Sequence, residues 1–249
     1  MLEEQKIREE KKTQNQRAML FILPLVMLAI LIVGVFFGYK FYLHSVNEHD
    51  TIAPSEADDT AQVITDPMLY RTVSSASVLP EDYVPETTES CGVPISVDAA
   101  DALEQLVSAA SDNGFDLLVR EGYISFEEQN KRYEAAVKKY RKQSDASLVM
   151  AEAHVRKEIP RAGESEQQTG LVVDLSVKTD GKFADTDAYA WLVRYCVDYG
   201  FILRYPEKEN TGGMAYSSHL FRYVGKTNAY NMRELDMSFD EYCAYQNAH

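Results

Sequence analysis

The chain has 249 residues, 45% of them hydrophobic, and a formal net charge of -14 at pH 7. That length suffices for one domain with appendages, and so acidic a balance excludes a general nucleic-acid-binding role. The three cysteines, Cys91, Cys196 and Cys243, lack C-x-x-C spacing, which excludes a zinc knuckle or redox motif.

Residues 1–17 hold Lys6, Arg8, Lys11, Lys12 and Arg17 against Glu3, Glu4, Glu9 and Glu10, so nearly all the negative charge falls later in the chain. Residues 18–39 carry no charge, and about 20 apolar residues cross a hydrocarbon core. The following Lys40-Phe41-Tyr42-Leu43-His44 offers no small-x-small cleavage site, so the segment reads as a signal anchor and not a cleaved leader. Basic residues before it and acids after it place the N-terminus in the cytoplasm and residues 41–249 outside. The expected organisation is a cytoplasmic tail (1–17), a transmembrane helix (18–43), an acidic Thr-, Ser- and Ala-rich tether (44–65) and an extracytoplasmic domain (66–249).

Within that domain, Leu103, Leu106, Val107 and Ala110 predict a helix over 98–111 that stops at Gly114. Asp116 to Arg120 reads as a short buried strand. Ser125 and Glu128 form a capping box for a helix running to about Tyr140, and a second helix from about Ser144 ends before Pro160. Leu171 to Val177 is a core strand, and Thr179-Asp180-Gly181-Lys182 is turn chemistry. Ala188, Trp191, Leu192, Tyr195, Cys196 and Tyr199 mark an amphipathic helix stopped by Gly200, with Cys196 on its core side. Phe201 to Pro206 and Leu220 to Val224 are strands, and Ser238 with Glu241 opens a C-terminal helix. Helices followed by short strands and tight turns describe an α+β domain with a small, mainly antiparallel sheet packed against helices. A Cys91–Cys243 disulfide is open in an oxidising compartment.

Four segments stand out in order: Leu79-Pro80-Glu81-Asp82-Tyr83-Val84-Pro85, Ser165 to Asp174 (S-E-Q-Q-T-G-L-V-V-D), Tyr199 to Pro206 (Y-G-F-I-L-R-Y-P), and Arg222-Tyr223-Val224-Gly225. Together they resemble the VanY-like D-alanyl-D-alanine carboxypeptidases over roughly residues 66 to 230. The resemblance implies a zinc DD-peptidase fold, of the DD-carboxypeptidase and hedgehog-like type. It also implies removal of terminal D-Ala from peptidoglycan stem peptides. In that family two His and one Asp hold zinc, a Glu is the general base, and an Arg receives the substrate carboxylate.

Carried onto this chain, the zinc positions fall on Gln167, Asp174 and Leu220, the base on Ser217 and the clamp on Ile124. Gln167 is a neutral, poor zinc donor and Leu220 has no donor atom. Only Asp174 keeps its family identity. His219, one residue before the family position, is the substitute candidate. Strand alternation turns it away from the cleft unless a bulge intervenes. His154, beside Glu152 and Arg156, reads as a solvated surface residue. Tyr123, Ser125, Gln129 and Ser165 are retained and are candidates for a residual substrate groove, with Ser125 also a helix cap and Ser165 a turn residue.

The expectation is therefore a non-catalytic protein of the cell wall, anchored by a single membrane span. It would take no cofactor and would bind a stem peptide or an envelope protein. The alternative is an active zinc D-alanyl-D-alanine carboxypeptidase with a rearranged site of Gln167, Asp174 and His219.

Overall fold

The computed structural model describes residues 67–207 and 213–248. The expected tail, membrane span and tether all lie outside these residues. Among the described residues, no helix is long and apolar enough to cross a membrane.

After a 3-10 turn at Pro67–Tyr70, the first sheet is a hairpin of β1 (Thr87–Ser90) and β2 (Val93–Ser96) that the sequence reading missed. Its two turn residues, Cys91 and Gly92, sit at φ 52° and 83°, the left-handed pair that suits a two-residue hairpin loop. Ser96 then caps α1 (Val97–Asp112) by accepting from the Asp98 amide. The buried side of this helix carries Ala99, Leu103, Leu106 and Ala110, the spacing of one apolar stripe. β3 (Leu117–Glu121) leads to α2 (Phe126–Ser144), whose cap Ser125 accepts from Glu128 N at 3.2 Å. Asp145, in the left-handed region at φ 50°, ends α2.

α3 (Leu148–Val155) is shorter than expected, because Ser147 caps it late and the chain leaves helical geometry well before Pro160. β4 (Val172–Val177) follows. α4 (Asp187–Tyr195) starts at the Thr186 cap and tightens into a 3-10 turn, Cys196–Tyr199, closed by Gly200. β5 (Phe201–Tyr205) and β6 (Ser217–Tyr223) complete the strands. α5 (Lys226–Glu234) was unforeseen. α6 (Phe239–Ala248) opens on a reciprocal capping box, Ser238 N to Glu241 and Glu241 N to Ser238 Oγ.

The main sheet has strand order β3-β4-β6-β5, every neighbour antiparallel, so the α+β expectation holds. Val173 and Leu175 point from β4 into the core with Leu103, Leu106, Leu192, Phe201 and Phe221. Cys196 is part of that core. All three thiols are free, with Cys91 exposed and Cys243 buried, so the Cys91–Cys243 bond is not formed. Burial pushes the Cys196 and Cys243 thiols up to about 12.

On the other side, a buried ionic cluster fixes the segment before β4. Glu166 is 2% exposed and takes Arg204 Nε at 2.6 Å, Arg204 Nη2 at 2.7 Å and Arg222 Nη1 at 2.8 Å. Arg222 also donates to the Met68 carbonyl at 2.6 Å, and Arg204 to Asp240 at 2.8 Å. The Phe239 ring lies 4.8 Å from one guanidinium and 4.4 Å from the other, within cation–π range. Burial pushes the Glu166 carboxyl up, but the two guanidiniums outweigh it and hold the group below the usual carboxylate range. Three distant stretches, 68–71, β5 with β6, and α6, are thereby tied to one carboxylate.

Gly122 marks a second close fit. Tyr123 N donates to Pro94 O at 2.7 Å, and a Cβ on Gly122 would run into that same carbonyl. Gly122→Ala should cost about 1–3 kcal/mol, the scale of a forced backbone shift, read as a lowered denaturation midpoint.

Candidate functional site

The site is assembled on the sheet face opposite the core, where β3, β4 and β6 meet the 3-10 turn Glu166–Thr169. That turn is shaped locally. Thr169 Oγ1 donates to Glu166 O at 2.6 Å and accepts from Leu171 N at 3.1 Å, while Gly170 at φ 72° releases the chain into β4. Glu166 and Gln168 point inward, the latter accepting from Gly163 N at 2.7 Å. Gln167, between them, is half-buried and donates its amide to Glu121 Oε2 at 3.2 Å. Arg132 holds the other oxygen of Glu121 at 2.7 Å.

Asp174 lies across from Leu220 on β6 and from Glu121 on β3. The β3–β4 register slips between Val119 and Glu121, so Arg120 is the extra residue of a bulge, which re-aims a side chain. Its guanidinium grips Asp174 in a fork, Nε to Oδ1 at 2.9 Å and Nη2 to Oδ2 at 3.0 Å. Burial raises the Asp174 carboxyl from its ordinary value, and Arg120 only partly offsets this.

His219 corrects the expectation that it turns away. β6 is irregular between Ser217 and Phe221, advancing four residues while β5 advances two, from Leu203 to Tyr205. Simple alternation fails there, and His219 Nδ1 sits 4.0 Å from Asp174 Oδ1. That nitrogen donates to the Leu175 carbonyl at 3.0 Å, and the ring stacks on Phe183 at 5.2 Å. A cavity of about 560 Å³ opens beside it, lined by Arg120, Ser176, Lys182, Phe183, Tyr216 and His219.

The remaining family positions are plainly placed. Ile124, at the clamp position, is 4% exposed. Ser217 is half-buried and its hydroxyl accepts from His219 N at 3.3 Å. Ser125 caps α2. Gln129 is 3% exposed and donates to Pro160 O at 2.6 Å, while Ser165, also 3% exposed, precedes the 3-10 turn. Tyr123 is half-buried beside them. His154 is exposed as expected, with its ring 4.0 Å from Tyr140.

Zinc does not fit this donor set. Three protein donors are needed around an open position, yet Leu220 offers none, the Gln167 nitrogen is directed to Glu121, and both Asp174 oxygens hold a guanidinium. Among the described residues, no three His, Cys, Asp or Glu side chains gather to hold a metal. What the sequence reading missed is Arg120. Its signal was pairing, since a β3 arginine opposite the β4 aspartate is a cross-strand ion pair. Because Arg120 is 47% exposed, Arg120→Ala should cost under about 1 kcal/mol of stability, checked by thermal denaturation.

The main motifs lie in elements whose order and geometry are shared with solved structures. The model of vancomycin-resistance D,D-pentapeptidase VanY with Zn(II) aligns at TM-score 0.62 and 28% identity, covering 70% of this chain and 98% of that one. VanYB with D-Ala-D-Ala aligns at TM-score 0.63 and 27% identity, covering 70% of this chain and 96% of that one. In sequence, YodJ of Bacillus subtilis is 33% identical over 154 residues, 59% of this chain and 53% of YodJ. The D-alanyl-D-alanine carboxypeptidase of Enterococcus faecalis is 30% identical over 174 residues, 68% of this chain and 63% of that protein. The matched segment thus spans between half and two thirds of these curated relatives. The family model for VanY, D-alanyl-D-alanine carboxypeptidase, matches residues 93–226, and the chain belongs to that family.

Proposed function

We propose that this protein is a non-catalytic VanY-fold module, anchored in the cytoplasmic membrane by residues 18–39 and exposed to the cell wall. Its cleft would bind a peptidoglycan stem peptide or an envelope protein instead of hydrolysing one. The observation that carries this reading is the fork of Arg120 on both oxygens of Asp174. A guanidinium supplies the positive charge that a divalent ion would bring, but it cannot polarise a water into a nucleophile. Ser217 is no general base, and Glu121 places negative charge where a substrate carboxylate would approach. That last point favours a protein partner over a free peptide terminus.

A rearranged zinc carboxypeptidase is favoured by one observation, the 4.0 Å approach of His219 to Asp174. Against it, His219 Nδ1 carries its proton toward Leu175 O, and no base accompanies it. The test is elemental analysis of the purified full chain together with D-Ala release from a muramyl pentapeptide. Absence of stoichiometric zinc and of turnover supports the module. Turnover abolished by a chelator would overturn it and establish the enzyme.

A further inference from the structure

The α2–α3 hairpin departs from the character of the rest of the chain. From Ala135 to Ser144 it carries Lys138, Lys139, Arg141 and Lys142 with no acid, in a protein of net charge -14. All four are exposed, and among the described residues the three lysines have no ion-pair partner, whereas Lys131 and Arg132 earlier on the same helix are paired with Glu127, Glu121 and Glu128. Just past the turn, Leu148, Val149 and Met150 are 50%, 75% and 66% exposed. Three consecutive exposed apolar residues are a liability unless they have a use. Only Ala151 and Val155 of α3 are buried, against Tyr133 and Val137 of α2.

Basic side chains around a protruding apolar tip are the chemistry of a surface that sits on anionic lipid headgroups and dips into the acyl boundary. The chain's own route supports that occupant. Val73, Ser74 and Ser75, close to where the domain begins, share a cavity of about 350 Å³ with Ala153, Arg156 and Lys157 at the far end of α3. The 148–150 turn is therefore about 12 Å, one eight-residue helix, from the side on which the chain enters. A flexible tether of residues 44–65 spans on the order of 25 Å, which keeps the domain close to the bilayer.

We infer that the exposed Leu148-Val149-Met150 turn, with Lys138, Lys139, Arg141 and Lys142, docks the domain on an anionic membrane surface. This rests on the anchor proposed above, and the experiment separates the two. The full chain carrying Cys91→Ser and Val149→Cys is labelled with a polarity-sensitive dye, Cys196 and Cys243 being buried and weakly acidic. It is then incorporated into vesicles of phosphatidylcholine with phosphatidylglycerol, or of phosphatidylcholine alone. A matched label at Val84→Cys, 72% exposed in the native chain, reports a surface site away from the hairpin.

The expected result is a blue-shifted dye at position 149, quenched by lipid-borne quenchers, in the anionic vesicles and not at position 84. Lys138→Gln, Lys139→Gln and Lys142→Gln should each weaken docking roughly fivefold, and together return the signal to that in phosphatidylcholine alone. A chain that floats with both vesicles while position 149 stays water-exposed overturns the docking and leaves the anchor. Flotation only with anionic vesicles, with position 149 inserted, supports docking and sinks the anchor. Flotation with neither overturns both.

Discussion

Glu166→Ala should cost about 3–5 kcal/mol, the loss incurred when one partner of a buried ion pair is removed. Arg204 and Arg222 are 2% and 0% exposed, so both would keep their charge away from water with the shared carboxylate gone. Against a total stability of about 5–15 kcal/mol for a domain, this variant should lie near the unfolding threshold. Replacing Glu166, Arg204 and Arg222 together by Leu and Met should recover part of the loss, because no uncompensated charge then remains. Urea denaturation of the three forms decides the matter, and a cost for Glu166→Ala below about 1 kcal/mol would refute the central role of the cluster.

The same carboxylate sets a pH dependence. Its folded value lies below the usual range, so its contribution is fully present above the unfolded value of about 4.3 and is lost as pH falls through the folded value. Native stability should therefore drop below about pH 4, and Glu166→Gln should flatten that part of the profile.

Rebuilding the centre is the second large effect. Gln167→His with Leu220→His supplies two imidazoles beside Asp174, and three protein donors are what a zinc site of this type requires. The fork of Arg120 stands in the way, so adding Arg120→Ala should tighten zinc binding by at least about tenfold, the scale on which groups bonded to a ligand act. Competition titration with a chromogenic chelator measures both. Equal zinc affinity in the double and triple variants would show that Arg120 does not compete for Asp174. Turnover should still await Ser217→Glu, since zinc without a proton acceptor lacks half of the hydrolytic machinery.

The long helices and core strands were legible because their signals are local. Ser96 aside, the caps at Ser125, Thr186 and Ser238 fall where the sequence patterns end, and α1 and β4 lie within a residue or so of expectation. The hairpin β1–β2 was not legible. Its turn is Cys91-Gly92, and Pro94 within β2 argues against a strand. α5 begins at Gly225 without a side-chain cap, so nothing announces it. The lost ligands at Gln167 and Leu220 could be read directly, being a matter of residue identity. Arg120 and His219 could not, because each is aimed by a slip in strand register, a property of two chains of hydrogen bonds and not of either strand alone.

The ionic cluster has a bearing on inheritance. The acid of S-E-Q-Q-T-G, the arginine of L-R-Y-P and the arginine of R-Y-V-G meet one another instead of a substrate. Selection for a folded chain alone would preserve those letters, so a descendant can shed its chemistry and still wear the signature of its lineage.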